Sequence, residues 1–247
     1  VARADTEAEE AARRMSALVT EMVPVRGALA TVAFRRSARA QKISLRIDAA
    51  HGGIIITLPM RASRRAGLSL LQTHEAWVAE KLAALPSALP FLPGAIVPVS
   101  GVPHVITPVR QGKGGAWLED GKICVTGEPQ FLPRRVTDCL KRQARQKLTA
   151  LTAEKARLSG LAPKCVRVKD TKTRWGSCAP GGTLAFCWRL ILAPEFVQDY
   201  VVGHEVAHLR HMNHGKHFWA LTEKLTTHRP AASAWLSANG QALLRIG

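Results

Sequence analysis

The stretch Asp199-Tyr200-Val201-Val202-Gly203-His204-Glu205-Val206-Ala207-His208-Leu209-Arg210-His211-Met212-Asn213-His214-Gly215 decides how this chain is read. It holds His204-Glu205-Val206-Ala207-His208, an HExxH pattern. Residues four apart on an α-helix are neighbours on one face, with Cβ atoms about 5–6 Å apart. Two imidazoles so placed can reach one zinc ion at about 2.0–2.1 Å. Glu205 projects beside them, where it can take a proton from water and pass one to a leaving amine. Val201, Val202, Val206, Ala207 and Leu209 are apolar, so the helix that carries the motif is expected to be buried.

A catalytic zinc takes three protein ligands and keeps an open position. The candidate third ligand is His214. On a continuing helix, a residue six beyond His208 points about 120° away and lies about 9 Å further along the axis. The helix must therefore break between His208 and His214. Asn213 and Gly215 both tolerate the left-handed cap conformation, so the expected end lies near 211–213 with a bend that brings His214 back. Five of the nine histidines fall between 204 and 217. His211 and His217 are read as substrate-facing or simply exposed, and His51, His74, His104 and His228 carry no site role.

Outward from this segment, Pro194 opens the motif helix, and two further helices fit 216–226 and 230–244. Before it lies an expected hairpin over 165–192, joined by Ala179-Pro180-Gly181-Gly182. A long basic helix spans 133–158 and stops before Gly160. The earlier half reads as β-rich. Ile43, Leu45 and Ile47 alternate with polar residues, Gly52-Gly53 turns into Ile54–Leu58, and 95–127 carries turn signals at Gly101, Gly112 to Gly115 and Asp120-Gly121. A helix is expected over 63–85, and another over 3–22, ended by Pro24. No internal repeat is visible. The reading is α+β, with an acidic helical extension (1–27), a β-rich half (28–130) and a helical catalytic half (131–247) within one domain from residue 28.

The chain carries 35 Lys+Arg against 18 Asp+Glu, a net charge of +17 at pH 7. Four of the acids, Asp5, Glu7, Glu9 and Glu10, sit in the first ten residues, so the remainder is more basic still. Such a body attracts polyanions or anionic membrane surfaces; a nucleic-acid partner is one reading of it and a solvated basic surface another. Arg134, Arg135, Lys141, Arg142, Arg145 and Lys147, together with Arg35, Arg36, Arg39 and Lys42, are the candidates for phosphate contact. Five cysteines, an odd number without CxxC spacing, argue against a disulfide framework and suit a reducing compartment. With no signal-peptide pattern and no apolar run of about 18 residues, the expected location is the cytoplasm.

Three segments together are similar to the YgjP-like metallopeptidases, relatives of the SprT-like zinc peptidases and the small gluzincins. They are Arg174-Trp175-Gly176-Ser177-Cys178, the run from Asp199 to Leu209, and Asn213-His214-Gly215-Lys216-His217-Phe218-Trp219. The resemblance covers about residues 28–245. It implies a zincin-like fold, one Zn2+ per chain, and a third ligand from the histidine before Gly-x-x-Phe, which is His214. Metzincins share the 208-to-214 interval but place a glycine midway, where this chain has His211. The resemblance also implies peptide or protein substrates. SprT-like relatives act on proteins attached to DNA, so peptidase activity and nucleic-acid association are compatible.

In zincins an edge strand beside the active-site helix holds the substrate by main-chain hydrogen bonds. Residues Arg174 to Cys178 are the candidates for that strand. A structural reading stands beside it, with Trp175 packed on the helix, Gly176 permitting a bulge and Cys178 a small buried residue. Arg174, Tyr200 and His217 are candidate oxyanion stabilisers. Two other chemistries compete: a cysteine hydrolase using Cys178, and a purely structural zinc closed by a fourth ligand such as Cys178.

Overall fold

The computed structural model describes residues 19–112 and 114–247. The chain divides into two compact units, one ending at Pro86 and one running from Ser87 to Gly247.

The first unit is a four-stranded sheet backed by two helices. Strands β1 (Val19–Val25), β2 (Ala28–Ser37), β3 (Ser44–Asp48) and β4 (Gly53–Pro59) lie in the order β1-β2-β4-β3, with β2 and β4 parallel and the outer pairs antiparallel. Residues 19–22, expected to finish a helix, form β1 instead; residues 1–18 of that expected helix lie outside the described residues. Val19, Thr20, Val23 and Val25 are β-branched, and Pro24 is tolerated because β1 is an edge strand. The helix expected over 63–85 is two, α1 (Arg64–Thr73) and α2 (Glu75–Ala83), separated at His74. At that break Glu75 accepts a hydrogen bond from the backbone N–H of Arg26. Val32, Phe34, Ile54, Ile56, Leu58, Leu71 and Val78 make the core.

The second unit opens with another four-stranded sheet. Its strands β5 (Ile96–Val99), β6 (Val102–Pro108), β7 (Ala116–Glu119) and β8 (Lys122–Val125) take the order β5-β6-β8-β7, again with a parallel central pair. The two sheets thus repeat one topology that the sequence does not reveal. In both, a two-residue turn with both residues at positive φ joins a hairpin: Arg26-Gly27 in the first, Ser100-Gly101 in the second. Such turns match the twist of the strands they connect.

Helix α3 (Leu132–Ser159) buries Val136, Leu140, Ala144 and Leu148, a stripe at four-residue spacing, and ends at a left-handed Gly160. It packs on β7, β8 and a short 3-10 turn, Trp188–Leu192. The expected hairpin over 165–192 is a three-stranded sheet. Strands β9 (Cys165–Lys169), β10 (Gly176–Cys178) and β11 (Thr183–Cys187) run in the order β10-β11-β9. The turn through Ala179 to Gly182 joins β10 to β11 as expected, but β9 pairs with β11 in parallel. Helices α4 (Glu195–Ala207), α5 (Lys216–Leu225) and α6 (Arg229–Leu244) complete the unit.

The β5–β6 turn braces the start of α4. The N–H groups of Ser100 and Gly101 donate to the carbonyls of Ile191 and Leu192, and Gln198 Nε2 reaches Ser100 Oγ at 3.2 Å. Gly101 has φ +79, and a Cβ there would lie 3.1 Å from Pro194. No helix among the described residues is long and apolar enough to cross a membrane.

Candidate metal centre

Helix α4 is central to its unit. Val197, Gln198, Val202, Val206 and Ala207 are fully buried, and Glu205 is 6% exposed. With the helix orientation fixed by that packing, the His204 and His208 rings emerge together, their centroids 4.9 Å apart.

The helix ends at Ala207, earlier than the expected 211–213. Its last turn tightens: Leu209 N–H donates to Val206 O, and the N–H groups of Arg210 and His211 both donate to Ala207 O. Neither Asn213 nor Gly215 adopts the left-handed conformation expected of it. The chain reverses instead through a γ-turn centred on His214, in which Gly215 N–H donates to Asn213 O at 2.8 Å. That turn needs no positive φ at its flanks, and Gly215 then caps α5 in an extended conformation.

The result is a convergence of three imidazoles. One ring nitrogen from each of His204, His208 and His214 lies within 4.8 Å of the others. His204 Nε2 and His214 Nε2 are 3.1 Å apart. Two nitrogens bound to one tetrahedral zinc at about 2.0–2.1 Å would lie about 3.3–3.4 Å apart, so the His204–His214 pair is spaced near what that ion requires. His208 Nδ1 lies 3.0 Å from the carbonyl oxygen of His211, which can take its proton and leave Nε2 with a free lone pair. His204 Nδ1 is buried without a hydrogen-bond partner among the described residues. Phe218, fully buried, forms the floor: its ring centroid lies 4.9, 4.5 and 4.7 Å from those of His204, His208 and His214.

The electrostatics favour neutral imidazoles at His204 and His208. Burial, then His208, His214 and Arg229, hold His204 down to about 4. Burial also lowers His208, with His214 adding to it and the His211 carbonyl bond opposing. A neutral imidazole is the form that ligates a metal. Glu205 makes no hydrogen bond or ion pair with the described residues, and burial pushes its carboxyl up to about 7 against the pull of Arg174. Its oxygens do not join the converging set, and neither does the Cys178 sulfur.

The remaining candidates fall into separate positions. Gly176 faces Glu205 so closely that a Cβ at 176 would lie 2.5 Å from Glu205 Cγ and Oε1. Trp175 packs against Gly240 and the core, and its carbonyl accepts from Cys187 N–H, which supports the structural reading for that residue. Ser177 sits mid-strand in β10, an edge strand. The Cys178 thiol is raised by burial and then by Glu205, the opposite of an activated nucleophile. Tyr200 meets the His204 ring edge-on at 5.8 Å. The His217 ring stacks on His211, not on the three converging rings, beside a cavity of about 330 Å3.

Several basic residues read as phosphate contacts are occupied within the chain. Arg36 donates to the carbonyls of Pro59, Met60 and Ala62, and Arg142 to that of Ala116. Lys147 pairs with Glu195, and Arg134 with Asp138. Sequence reasoning assigned no role to Phe218, Trp219, Arg229 or Lys155, all of which touch or brace this centre; an aromatic pair four and five residues after His214 was the available signal for two of them.

A family model described as YgjP-like, metallopeptidase domain, matches residues 41–239. No curated protein matches the chain. Among solved structures, the chain is similar to the crystal structure of the metallopeptidase zymogen of Pyrococcus abyssi abylysin, at 19% identity and a TM-score of 0.34, over 37% of this chain and 93% of that one.

Proposed function

Because the chain belongs to the YgjP-like metallopeptidase family, we propose that it hydrolyses peptide bonds with one zinc held by His204, His208 and His214 and with Glu205 as general base. The observation that carries this reading is the convergence of three imidazole nitrogens, with the 3.1 Å approach of two of them, next to a buried carboxylate that has no hydrogen-bond or ion-pair partner among the described residues. Zinc, when bound, polarises the scissile carbonyl and lowers the pKa of water toward 7.

The chain's own residues do the rest. The His211 carbonyl fixes the His208 tautomer, and Phe218 seats all three rings. Glu205 accepts a proton from the attacking water and delivers it to the departing amine nitrogen. Burial raises its proton affinity to suit that exchange, while Arg174 favours the carboxylate that begins it. The edge of β10 away from β11 offers main-chain groups to an extended peptide. Tyr200, beside His204, and Arg174, beside Glu205, are the candidates to meet the developing oxyanion; His217, stacked on His211, is the less favoured third.

Metal analysis of the purified protein tests this reading. It should return one zinc per chain. Chelation should abolish cleavage of a peptide library and zinc should restore it, whereas thiol alkylation should leave it intact. Activity that survives complete zinc removal contradicts the proposal.

Gly176 gives a second expectation. Any side chain there drives Glu205 from its position, and a displacement of about 1 Å at a reacting group can cost 100-fold. Gly176→Ala should lower kcat by about that factor with zinc content unchanged; wild-type kcat would show that Glu205 does not depend on this contact.

A further inference from the structure

His214 differs from His208 in how its ring is held. It lies between helices, exposed, at the centre of a γ-turn. His208 has a backbone carbonyl for its second nitrogen, the arrangement that ordinarily orients a metal-bound imidazole. Among the described residues, His214 has no hydrogen bond besides its contact with His204. Its ring instead lies nearly parallel to the Trp219 indole, with centroids 5.6 Å apart and planes at 22°. Phe218 meets it edge-on at 88°. Trp219 is clamped in turn. The Arg229 guanidinium sits over its ring, 3.5 Å from the centroid, and Arg229 is tied to Glu223 at 3.5 Å. Arg229 is the first residue of α6, so the stack fastens the ligand-bearing loop to a second helix.

We propose that Trp219 and Arg229 are positioning residues for His214, replacing by ring stacking the hydrogen bond that orients His208, and so set the affinity for the metal. This rests on the reading that the three imidazoles hold zinc. Stacked and edge-on aromatic pairs at these separations are attractive and directional, and a guanidinium over an indole face adds a further restraint on the ring. Loss of a group that orients a ligand typically weakens metal binding by about 10- to 100-fold.

The test is zinc affinity of the full-length protein, measured by competition with a chromophoric chelator and without substrate. Trp219→Leu, which keeps bulk but no π face, should weaken zinc binding about 10- to 100-fold. Trp219→Phe, which restores a flat ring, should recover most of it. Arg229→Gln should fall between them. The cobalt-substituted Trp219→Leu protein should show a visible spectrum altered from wild type, because one nitrogen ligand is no longer held. A folded Trp219→Leu variant with wild-type zinc affinity and an unchanged cobalt spectrum overturns the proposal. Should that variant not fold, unchanged zinc affinity in Arg229→Gln overturns it. If His214→Ala itself binds zinc as tightly as wild type, the failure lies in the three-imidazole reading and not in the stack.

Discussion

Replacing Glu205 by glutamine should leave the protein loaded with zinc and lower peptide hydrolysis by about a thousandfold, within the range a positioned general base contributes. The two effects should separate because the carboxylate and the proposed metal ligands are distinct groups. The Glu205 oxygens are not among the converging donor atoms, so an amide of the same shape costs the site no ligand. What it loses is the ability to accept a proton. The carboxylate has no hydrogen-bond or ion-pair partner among the described residues that glutamine would leave stranded, so stability should hardly change. Hydrolysis kinetics and metal analysis on one preparation check this. Undiminished cleavage by Glu205→Gln removes the residue from the role.

The second large effect is on stability. Lys155, 6% exposed on α3, pairs its amine with the Asp199 carboxylate on α4 and donates to the carbonyl of Leu225 at the end of α5, 2.7 Å away. One buried cation therefore ties the long helix to the helix that bears His204 and Glu205 and ends at His208, and to the helix that follows His214. Lys155→Met leaves a partly buried carboxylate and a carbonyl without their partner. Breaking a buried pair from one side costs about 3–5 kcal/mol. The lower end applies, since the Asp199 side chain is still 21% exposed. Denaturant unfolding of the metal-free protein should show a loss of about 3 kcal/mol. Removing both charges together, Lys155→Met with Asp199→Leu, should recover much of it. A single variant as stable as wild type would mean that the pair is not a fastening.

The pairing of His204 and His208 on one face was legible in the sequence because it is local. The spacing of His204 and His208 places two rings on one face whatever surrounds the helix, and the apolar residues around them announced its burial. His214 could be nominated because the zinc reading called for a third ligand and a break in the helix. The form of the break was not legible. Asn213 and Gly215 advertise left-handed caps, but a tightened last turn and a γ-turn at His214 satisfied the backbone first.

The sheets show the same division. The turns at Gly101 and Asp120-Gly121 were legible because each hairpin is fixed by two residues, whereas the parallel pairs β2–β4, β6–β8 and β9–β11 join strands separated by other chain. No local pattern specifies such pairing. Residues 19–22 misled because Val19 and Met22 fit a helical spacing equally well; pairing with β2 decided the matter. The brace residues Lys155, Trp219 and Arg229 act across elements, so their partners are visible only once the helices are in place.

The central claim is a shared metal on three imidazoles, and X-ray absorption at the zinc edge of the purified protein tests it most directly. The account predicts three histidine nitrogens and one further light-atom ligand at about 2.0–2.1 Å. A sulfur shell at about 2.3 Å, or fewer than three imidazoles, would contradict it.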